Sequence, residues 1–277
     1  MGLKTFKGGV HPYEGKELAK DAPIKEVLPK GELVFPLSQH IGAPATPIVA
    51  VGDTVLKGQK IAEAGGFVSS PIYSSVSGTV KKIEPRRVAV GDMVNSIIIE
   101  SDDAFKEVDY QAVDDVTTLS KEEIINRVKE AGVVGMGGAG FPTHVKLSPK
   151  EPEKIDYIIA NCAECEPLLK LHRQLLEKHA YEIMKTFHMI QETVGASEAI
   201  IGIKKSYVQT IHALNQHIEE FPGMRLHLLD EVYPMGDEVV LIYEATGRVV
   251  RPGGLPIEQG VAVFNVETVY NVYRAVE

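Results

Sequence analysis

Four glycines fall within six residues in Gly135-Met136-Gly137-Gly138-Ala139-Gly140, followed by Phe141-Pro142-Thr143 and then Lys146. A backbone this rich in glycine bends with positive φ and brings its N–H groups close to a ligand. Such a loop suits an anion, above all a nucleotide or flavin phosphate, and Lys146 adds a point charge. Gly135-x-Gly137-x-x-Gly140 also satisfies the dinucleotide fingerprint, which demands a strand before it and a helix after it. The preceding segment, Ser120 to Gly132, predicts a helix instead. Ser120 and Glu123 form a capping box, Ile124, Ile125 and Val128 an apolar face, and Gly132 a stop. Only Val133 and Val134 remain for a strand, so the spacing points to a different phosphate loop. The bland alternative is a glycine turn without a ligand.

A second constellation follows in Asn161-Cys162-Ala163-Glu164-Cys165-Glu166-Pro167. It puts an amide and two carboxylates at the end of a predicted strand, where ligands lie in open α/β sheets. Glu164 and Glu166, on alternate positions of an extended loop, could address ribose or amide groups in one pocket. Equally, both acids suit the start of the next helix, where negative charge is favoured. Further on, Gly236-Asp237-Glu238 offers a glycine turn with paired acids. Asn265-Val266-Glu267-Thr268 then puts polar side chains at a strand-to-helix junction. Cys162 and Cys165 are the only cysteines. Two thiolates complete neither a tetrahedral zinc site nor a cubane cluster, so no metal site is expected, and a redox dithiol is a minor alternative. None of the nine histidines falls into a metal-binding pattern, and they read as solvated.

The elements that must position these residues fall into two grammars. Residues 1–102 read as β structure broken by turns. Gly52-Asp53-x-Val55-x-x-Gly58, followed by Val76-x-Gly78-x-Val80, resembles the sandwich of lipoyl and biotinyl carrier domains. Those carriers present a modified lysine at a hairpin tip. The matching turn here, Glu63 to Ser70, has no lysine, so the likeness is to the fold and not to a carrier role. Residues 103–118 are acidic and irregular, including Asp102-Asp103 and Asp114-Asp115, and read as a linker. Residues 119–277 alternate strands and helices, the pattern of an α/β domain. Strands are predicted at 156–160, 199–203 and 225–229. Helices are predicted from Pro167 to Ala180, Tyr181 to Val194 and Ser206 to Glu220.

With 277 residues, 44% hydrophobic and 24% charged, the composition is that of a globular protein. A net charge of −9 and a pI near 5.5 argue against general nucleic-acid binding. No apolar run approaches the ~18 residues of a membrane span, and the start lacks the apolar core of a signal peptide. A cytoplasmic location is expected, with membrane association only through a partner.

Taken in order, Gly137-Gly-Ala-Gly-Phe-Pro-Thr143, Asn161…Glu164-x-Glu166-Pro167, Gly236-x-Glu238 and Asn265-Val-Glu-Thr268 resemble the flavin-bearing, NADH-oxidising subunit of respiratory complex I. Four further phrases are similar to the RnfC/RsxC family of ion-translocating electron-transport complexes. They are Phe6-Lys-Gly-Gly-Val-His-Pro12, Pro36-Leu-Ser-Gln-His-Ile-Gly-Ala-Pro44, Tyr233-Pro-Met-Gly236 and Gly253-Gly-Leu-Pro256. The resemblance spans essentially the whole chain. It implies an N-terminal β barrel-sandwich hybrid and a C-terminal α/β FMN/NADH-binding domain.

By that resemblance, Gly135, Gly137, Gly138, Ala139 and Gly140 wrap the FMN phosphate side, with Thr143 beside them. Lys146, Asn161 and Asn265 hold the flavin. Glu164, Glu166 and Glu238 face NADH, Phe141 stacks, and Gly236, Asp237 and Thr268 complete the binding set. Hydride passes from NADH to FMN, and electrons then pass to iron–sulfur centres. The expected partners are the other members of an Rnf-type membrane complex and ferredoxin-linked redox proteins, at the cytoplasmic side of the inner (plasma) membrane. Ala163 and Cys165 depart from complex I, which has Asp and Gly there.

RnfC-like chains continue into a β-grasp segment and a ferredoxin-like region with [4Fe–4S] clusters. The expectation is therefore a piece of a longer protein, or a chain whose clusters sit on another polypeptide. Two other functions compete. One is a soluble electron-transfer flavoprotein feeding cobalamin or an amino-acid reductase, suggested by Cys162 to Lys170 and by Pro142-Thr-His-Val-Lys146. The other is a non-catalytic assembly scaffold.

Overall fold

The computed structural model describes residues 9–19, 22–110, 112–113, 116–151 and 154–277. The Phe6-Lys-Gly end of one family phrase and Asp114-Asp115 of the predicted linker lie outside them. The chain forms two compact units, one of residues 24–146 with 275–277, the other of residues 1–23 with 147–274.

The first of these is a β sandwich with an added helix. Its strands are β1 (Glu32–Pro36), β2 (Thr46–Pro47), β3 (Thr54–Val55), β4 (Lys60–Glu63), β5 (Ile72–Tyr73), β6 (Gly78–Arg87) and β7 (Met93–Ser101). They form two antiparallel sheets, in the orders β1-β7-β6-β3 and β2-β4-β5. Between them lie Phe35, Leu37, Val55, Ile61, Val76, Val80, Ile97 and Ile99. The glycine of the Val76-x-Gly78-x-Val80 phrase is required by this packing. A Cβ there would sit 2.0 Å from the carbonyl oxygen of Glu100 on the paired strand.

The described part of the predicted linker is bonded to this sandwich. Lys57 and Val108 exchange backbone hydrogen bonds with their neighbours across a parallel bridge, and the Lys106 N–H reaches Ser77 Oγ. Phe105 packs on the core. Helix α1 (Lys121–Glu130) carries the expected capping box and buries Ile124 and Val128. It joins the sandwich instead of opening an α/β domain, because Glu130 takes both the Lys60 ammonium, at 2.7 Å, and the Tyr73 hydroxyl. Gly132, at φ +70°, then turns the chain against Pro71. The glycine-rich loop and a short helix α2 (Thr143–Lys146) close this unit.

The other unit is a parallel sheet of β8 (Tyr157–Asn161), β9 (Glu198–Lys204), β10 (Met224–Leu229) and β11 (Val261–Asn265), in the order β10-β9-β8-β11. Helices α3 (Leu171–Lys178), α4 (Ala180–Val194), α5 (Val208–Asn215), α6 (Glu238–Thr246) and α7 (Val266–Val276) alternate with it. Six of the seven residues of β9 are buried, as expected where helices cover a parallel sheet. The core joins Ile159, Ile200, Leu229, Leu241, Ile242 and Val263. Helix α3 starts at Leu171, four residues after Pro167. Leu168 takes a left-handed φ of +66°, which no helix admits.

Several histidines are not the solvated side chains the sequence suggests. His40 and His144 are buried, at 9% and 5% exposure, and the His172 side chain is 14% exposed. Burial pushes the imidazoles of His144, His172 and His227 below their ordinary value. The folded state keeps these rings neutral, whereas the unfolded chain takes up protons near pH ~6.5. Their contribution is therefore intact above that pH and lost as pH falls through it. Differential scanning calorimetry should show a Tm that drops between pH ~7.5 and ~5.5. A Tm that rises on acidification over that range would contradict the burial of these rings.

Candidate functional site

At the carboxyl edge of the parallel sheet, Asn161 ends β8 and Asn265 ends β11, and the two are register partners. The Asn161 Nδ2 group donates to the Gly236 carbonyl at 2.8 Å, and its Oδ1 accepts from the Ala163 N–H at 3.1 Å. Gly236 also donates its N–H to Cys165 Sγ at 3.0 Å. A Cβ on Gly236 would lie 2.4 Å from the Ala163 carbonyl oxygen and 2.9 Å from that sulfur. Only glycine lets the loops after β8 and β10 meet here. Asp237 is occupied as the N-cap of α6, accepting from the Val239 and Val240 N–H groups. Glu238, the next residue, is exposed. Asn265 Oδ1 accepts from the Glu267 N–H at 2.8 Å, which starts α7, and Thr268 is buried one turn in.

Glu164 and Glu166 part company. Glu166 is exposed, whereas Glu164 is 4% exposed. Glu164 Oε1 accepts from the His172 N–H at 2.9 Å, in the first turn of α3. Its Oε2 lies 3.8 Å from Arg173 Nε. Arg173 in turn stacks over the Tyr207 ring at 4.2 Å. His172 Nε2 is 3.5 Å from Asn265 Nδ2 and 3.7 Å from Glu267 Oε1. Burial, with the nearby Glu164 carboxylate, raises the Glu267 carboxyl above its usual range. Burial likewise pushes the Tyr207 hydroxyl up.

Within this cluster Glu164 Oε2, His172 Nδ1, Arg173 Nε and Tyr207 Oη are buried, without a hydrogen-bond partner among the described residues. An unpaired buried polar atom costs about 1–3 kcal/mol. Four together fit a ligand rich in donors and acceptors, such as a flavin or a nucleotide.

The N-terminal segment braces the same edge. Val10 and Tyr233 exchange backbone hydrogen bonds at 3.0 and 2.8 Å. Lys16, 7% exposed, donates to the carbonyls of Glu166 and Leu169 at 2.8 and 2.7 Å. Its ammonium is held below the usual lysine range by burial, and Glu164 and Glu14 oppose that shift. Glu14 accepts the Leu168 N–H on its carbonyl and the buried Lys204 ammonium, 2.9 Å away, on its carboxylate. Of these groups, a lysine ending the apolar run of β9 is a signal the sequence offered for Lys204. Nothing local marks Lys16, Glu14 or Arg173.

Both cysteines are free thiols, and burial raises each above its ordinary value. A thiol held protonated is a poor nucleophile or redox partner. Cys165 instead serves as the acceptor for Gly236. Among the described residues no three His, Cys, Asp or Glu side chains converge on a metal position, and no helix is long and apolar enough to cross a membrane.

In the other unit, the glycine-rich loop is closed at its base by a Val134–Pro142 bridge. Hydrogen bonds from the Gly135 N–H to Phe141 O, at 2.8 Å, and from the Thr143 N–H to Val133 O, at 2.9 Å, complete the closure. Gly137 and Gly140 use positive φ, +74° and +66°. Met136 to Ala139 form the exposed crest, while Phe141 and Lys146 are half-buried. A Cβ on Gly138 would meet nothing within 4 Å. Thr143 is 2% exposed, and its hydroxyl has no hydrogen-bond partner among the described residues. The crest therefore presents backbone to open space, the geometry an anion cradle needs.

Two clefts of about 630 and 650 Å³ open at the amino edge of the parallel sheet, around Asp156 and Arg248. Arg248 there is paired with Asp156 at 2.5 Å and stacked over Tyr157. None of the unpartnered buried atoms lies in either cleft, so the carboxyl edge is the better candidate.

Known proteins place the chain. Residues 4–104 match the RnfC barrel sandwich hybrid domain, and residues 128–274 match the Nuo51 FMN-binding domain. The RnfC-type component of the Na(+)-translocating ferredoxin:NAD(+) oxidoreductase complex of Acetobacterium woodii is 40% identical over 269 residues, 95% of this chain and 60% of the relative. Its counterpart in the proton-translocating ferredoxin:NAD(+) oxidoreductase complex of Clostridium ljungdahlii is 38% identical over 279 residues, 99% of this chain and 60% of the relative. The counterpart in the ion-translocating oxidoreductase complex of Vibrio cholerae is 34% identical over 99% of this chain and 35% of the relative. The chain thus spans 60% or less of the length of these relatives. A crystal structure of an NAD+-reducing [NiFe]-hydrogenase in its H2-reduced state superposes with a TM-score of 0.51 and 28% identity, over 58% of this chain and 32% of that one. With its glycine loop, strand-end asparagines and preceding sandwich, the chain belongs to the Nuo51 FMN-binding domain family, in the form that follows an RnfC barrel sandwich hybrid domain.

Proposed function

We propose that the chain is the NADH-oxidising flavoprotein module of an Rnf-type ferredoxin:NAD oxidoreductase complex, with FMN as its flavin. The observation that carries this reading is the buried cluster of Glu164, His172, Arg173 and Tyr207, with its unpartnered polar atoms at the carboxyl edge of the sheet. Bound FMN would supply the chemistry, accepting a hydride's electron pair and releasing it one electron at a time. Positioning and electrostatics are left to the protein.

Asn161 and Asn265 fix the ends of β8 and β11, and Asn265 Nδ2 and His172 offer polar groups toward the flavin. Glu164 offers an acceptor for a ribose hydroxyl or an amide N–H, and Arg173 and Lys16 offset its charge within the interior. The exposed Glu166 and Glu238 address the nicotinamide nucleotide. In the sandwich unit, Gly135 to Gly140 offer backbone N–H groups to a phosphate, Lys146 adds charge, and Phe141 provides a stacking face. Electrons leave to iron–sulfur centres outside these 277 residues. Attachment to the membrane runs through partner proteins, since no described helix can span it. The relatives' complexes, named for ferredoxin and NAD(+), support this assignment.

The direct test is titration of the flavin-stripped protein with FMN and FAD by fluorescence quenching, followed by anaerobic NADH. FMN-selective binding and bleaching near ~450 nm are expected. Failure of the full-length, cluster-containing protein to bind flavin would sink the assignment in favour of a scaffold.

Two substitutions refine it. Gly138→Val should leave Tm almost unchanged, because its side chain meets only open space. It should weaken FMN at least about tenfold, or ~1.4 kcal/mol; unchanged FMN affinity would remove the loop from the phosphate site. Glu166→Gln should weaken NADH more than FMN and leave the fold intact. Glu164→Gln, by contrast, removes the charge facing buried Arg173 and should also cost about 1–3 kcal/mol in urea unfolding. Equal stability of the two variants would contradict the buried role of Glu164.

A further inference from the structure

The barrel-sandwich unit carries the glycine loop but none of the buried polar cluster. In lipoyl and biotinyl carriers the hairpin tip displays a lysine, but the tip here, Glu63 to Ser70, has none. Its groups are spent differently. Gly65 donates its N–H to Ser69 Oγ at 2.9 Å, and Ser69 donates to the Ala43 carbonyl at 2.8 Å. The Ala43 N–H reaches Val68 O at 2.9 Å. A Cβ on Gly42 would lie 2.1 Å from Val68 O, and one on Gly65 would lie 2.0 Å from Pro44 O. The tip is thus clamped, backbone to backbone, onto the Pro36–Pro44 segment.

That segment meets the glycine loop at successive residues. The Ile41 N–H donates to Ala139 O at 2.9 Å. Gly140 packs so closely that a Cβ would sit 2.9 Å from Gln39 O and 3.1 Å from His40 Cα. Between these contacts lies the buried His40. Its Nδ1 is 3.1 Å from Ile41 O, and its Nε2 accepts the Ser70 N–H at 3.1 Å. A carbonyl on one nitrogen and an N–H on the other fix the neutral ring with the proton on Nδ1. On the far side of the loop, His144 of α2 is 5% exposed and hydrogen-bonded to the backbone of Phe67 at the tip itself.

We infer that the sandwich's hairpin tip and the Pro36–Pro44 segment form the platform that positions the glycine loop, with His40 and His144 as the positioning residues. Neither histidine touches a ligand; each acts through the loop. The consequence for flavin rests on the reading of that loop as a phosphate cradle. A cradle of backbone N–H groups binds well only when held in place beforehand, since ordering it on binding would cost affinity. The platform supplies that order from outside the loop, whose own glycines favour disorder.

The test uses the 277-residue protein without flavin, followed by hydrogen–deuterium exchange. His40→Phe and His144→Phe should each raise exchange at residues 135–141 by about tenfold while β6 and β7 stay protected. His144→Gln, which restores a donor toward Phe67, should recover protection. Ser69→Ala, a gentler cut through the same clamp, should act in the same direction and covers the case in which the histidine variants fail to fold. FMN titration of the same proteins should show affinity falling and recovering in parallel, by about tenfold. Unchanged loop exchange in the variants would overturn the platform. So would an equal rise across β6 and β7, which would mean a general structural role. Raised loop exchange with unchanged FMN affinity would leave the platform standing and overturn the phosphate-cradle reading instead.

Discussion

The approach of two loops without a side chain between them is the constraint on which the carboxyl edge of the parallel sheet depends. Gly236 sits where any Cβ would collide with Ala163 and Cys165. Its carbonyl and N–H are both taken, by Asn161 and Cys165. Those bonds fix the end of β8 against the turn into α6, and Asp237 can then cap that helix. With β8 fixed, Asn265 follows by register, and with it the start of α7. Cys165 explains itself in this arrangement as a soft acceptor in a place too tight for water.

The buried cluster built on that frame is electrostatically expensive. Glu164 lies under the surface with Arg173, Lys16, His172 and Glu267 around it, and several polar atoms of the cluster lack partners. An apolar arrangement of the same size would be more stable in isolation. Structures keep such costs where a ligand repays them, and the carboxyl edge of an open sheet is where that repayment is expected. The glycine loop follows the same logic in backbone form. It is permissive in itself and held by neighbours that gain nothing directly from a ligand.

Much of this was legible in the sequence. Ser120 and Glu123 announced α1 by a reciprocal cap that is purely local. Gly78 and the phrases around it announced the sandwich because turn glycines at fixed spacing have few other uses. Asn161 and Asn265 were visible as polar residues closing apolar strands. What escaped has no local signature. Lys16 finds its carbonyl partners 150 residues or more away in sequence, and a lysine near a chain start looks like any surface lysine. Leu168 adopts its positive φ because Glu14 takes its N–H, so the delayed start of α3 is a tertiary effect. The histidines looked solvated because burial is a property of what packs on a residue, and periodicity is silent on that. Helix α1 was grouped with the α/β half on helical character alone, whereas Glu130 ties it to the sandwich.

The α/β unit is discontinuous, since its first strap, from Val10 to Ala19, is separated from the rest by the entire sandwich. Glu14 must meet Lys204 across 190 residues. The entropy of closing so long a loop grows only with the logarithm of its length, so the interruption adds little thermodynamic cost. Its effect is on timing. During synthesis at ~5–20 residues per second, the strap leaves the ribosome first and its anchoring partners emerge last. The sandwich is complete well before then. The earliest segment of the chain is therefore the last to find its place, and the carboxyl edge of the sheet stays open until it does.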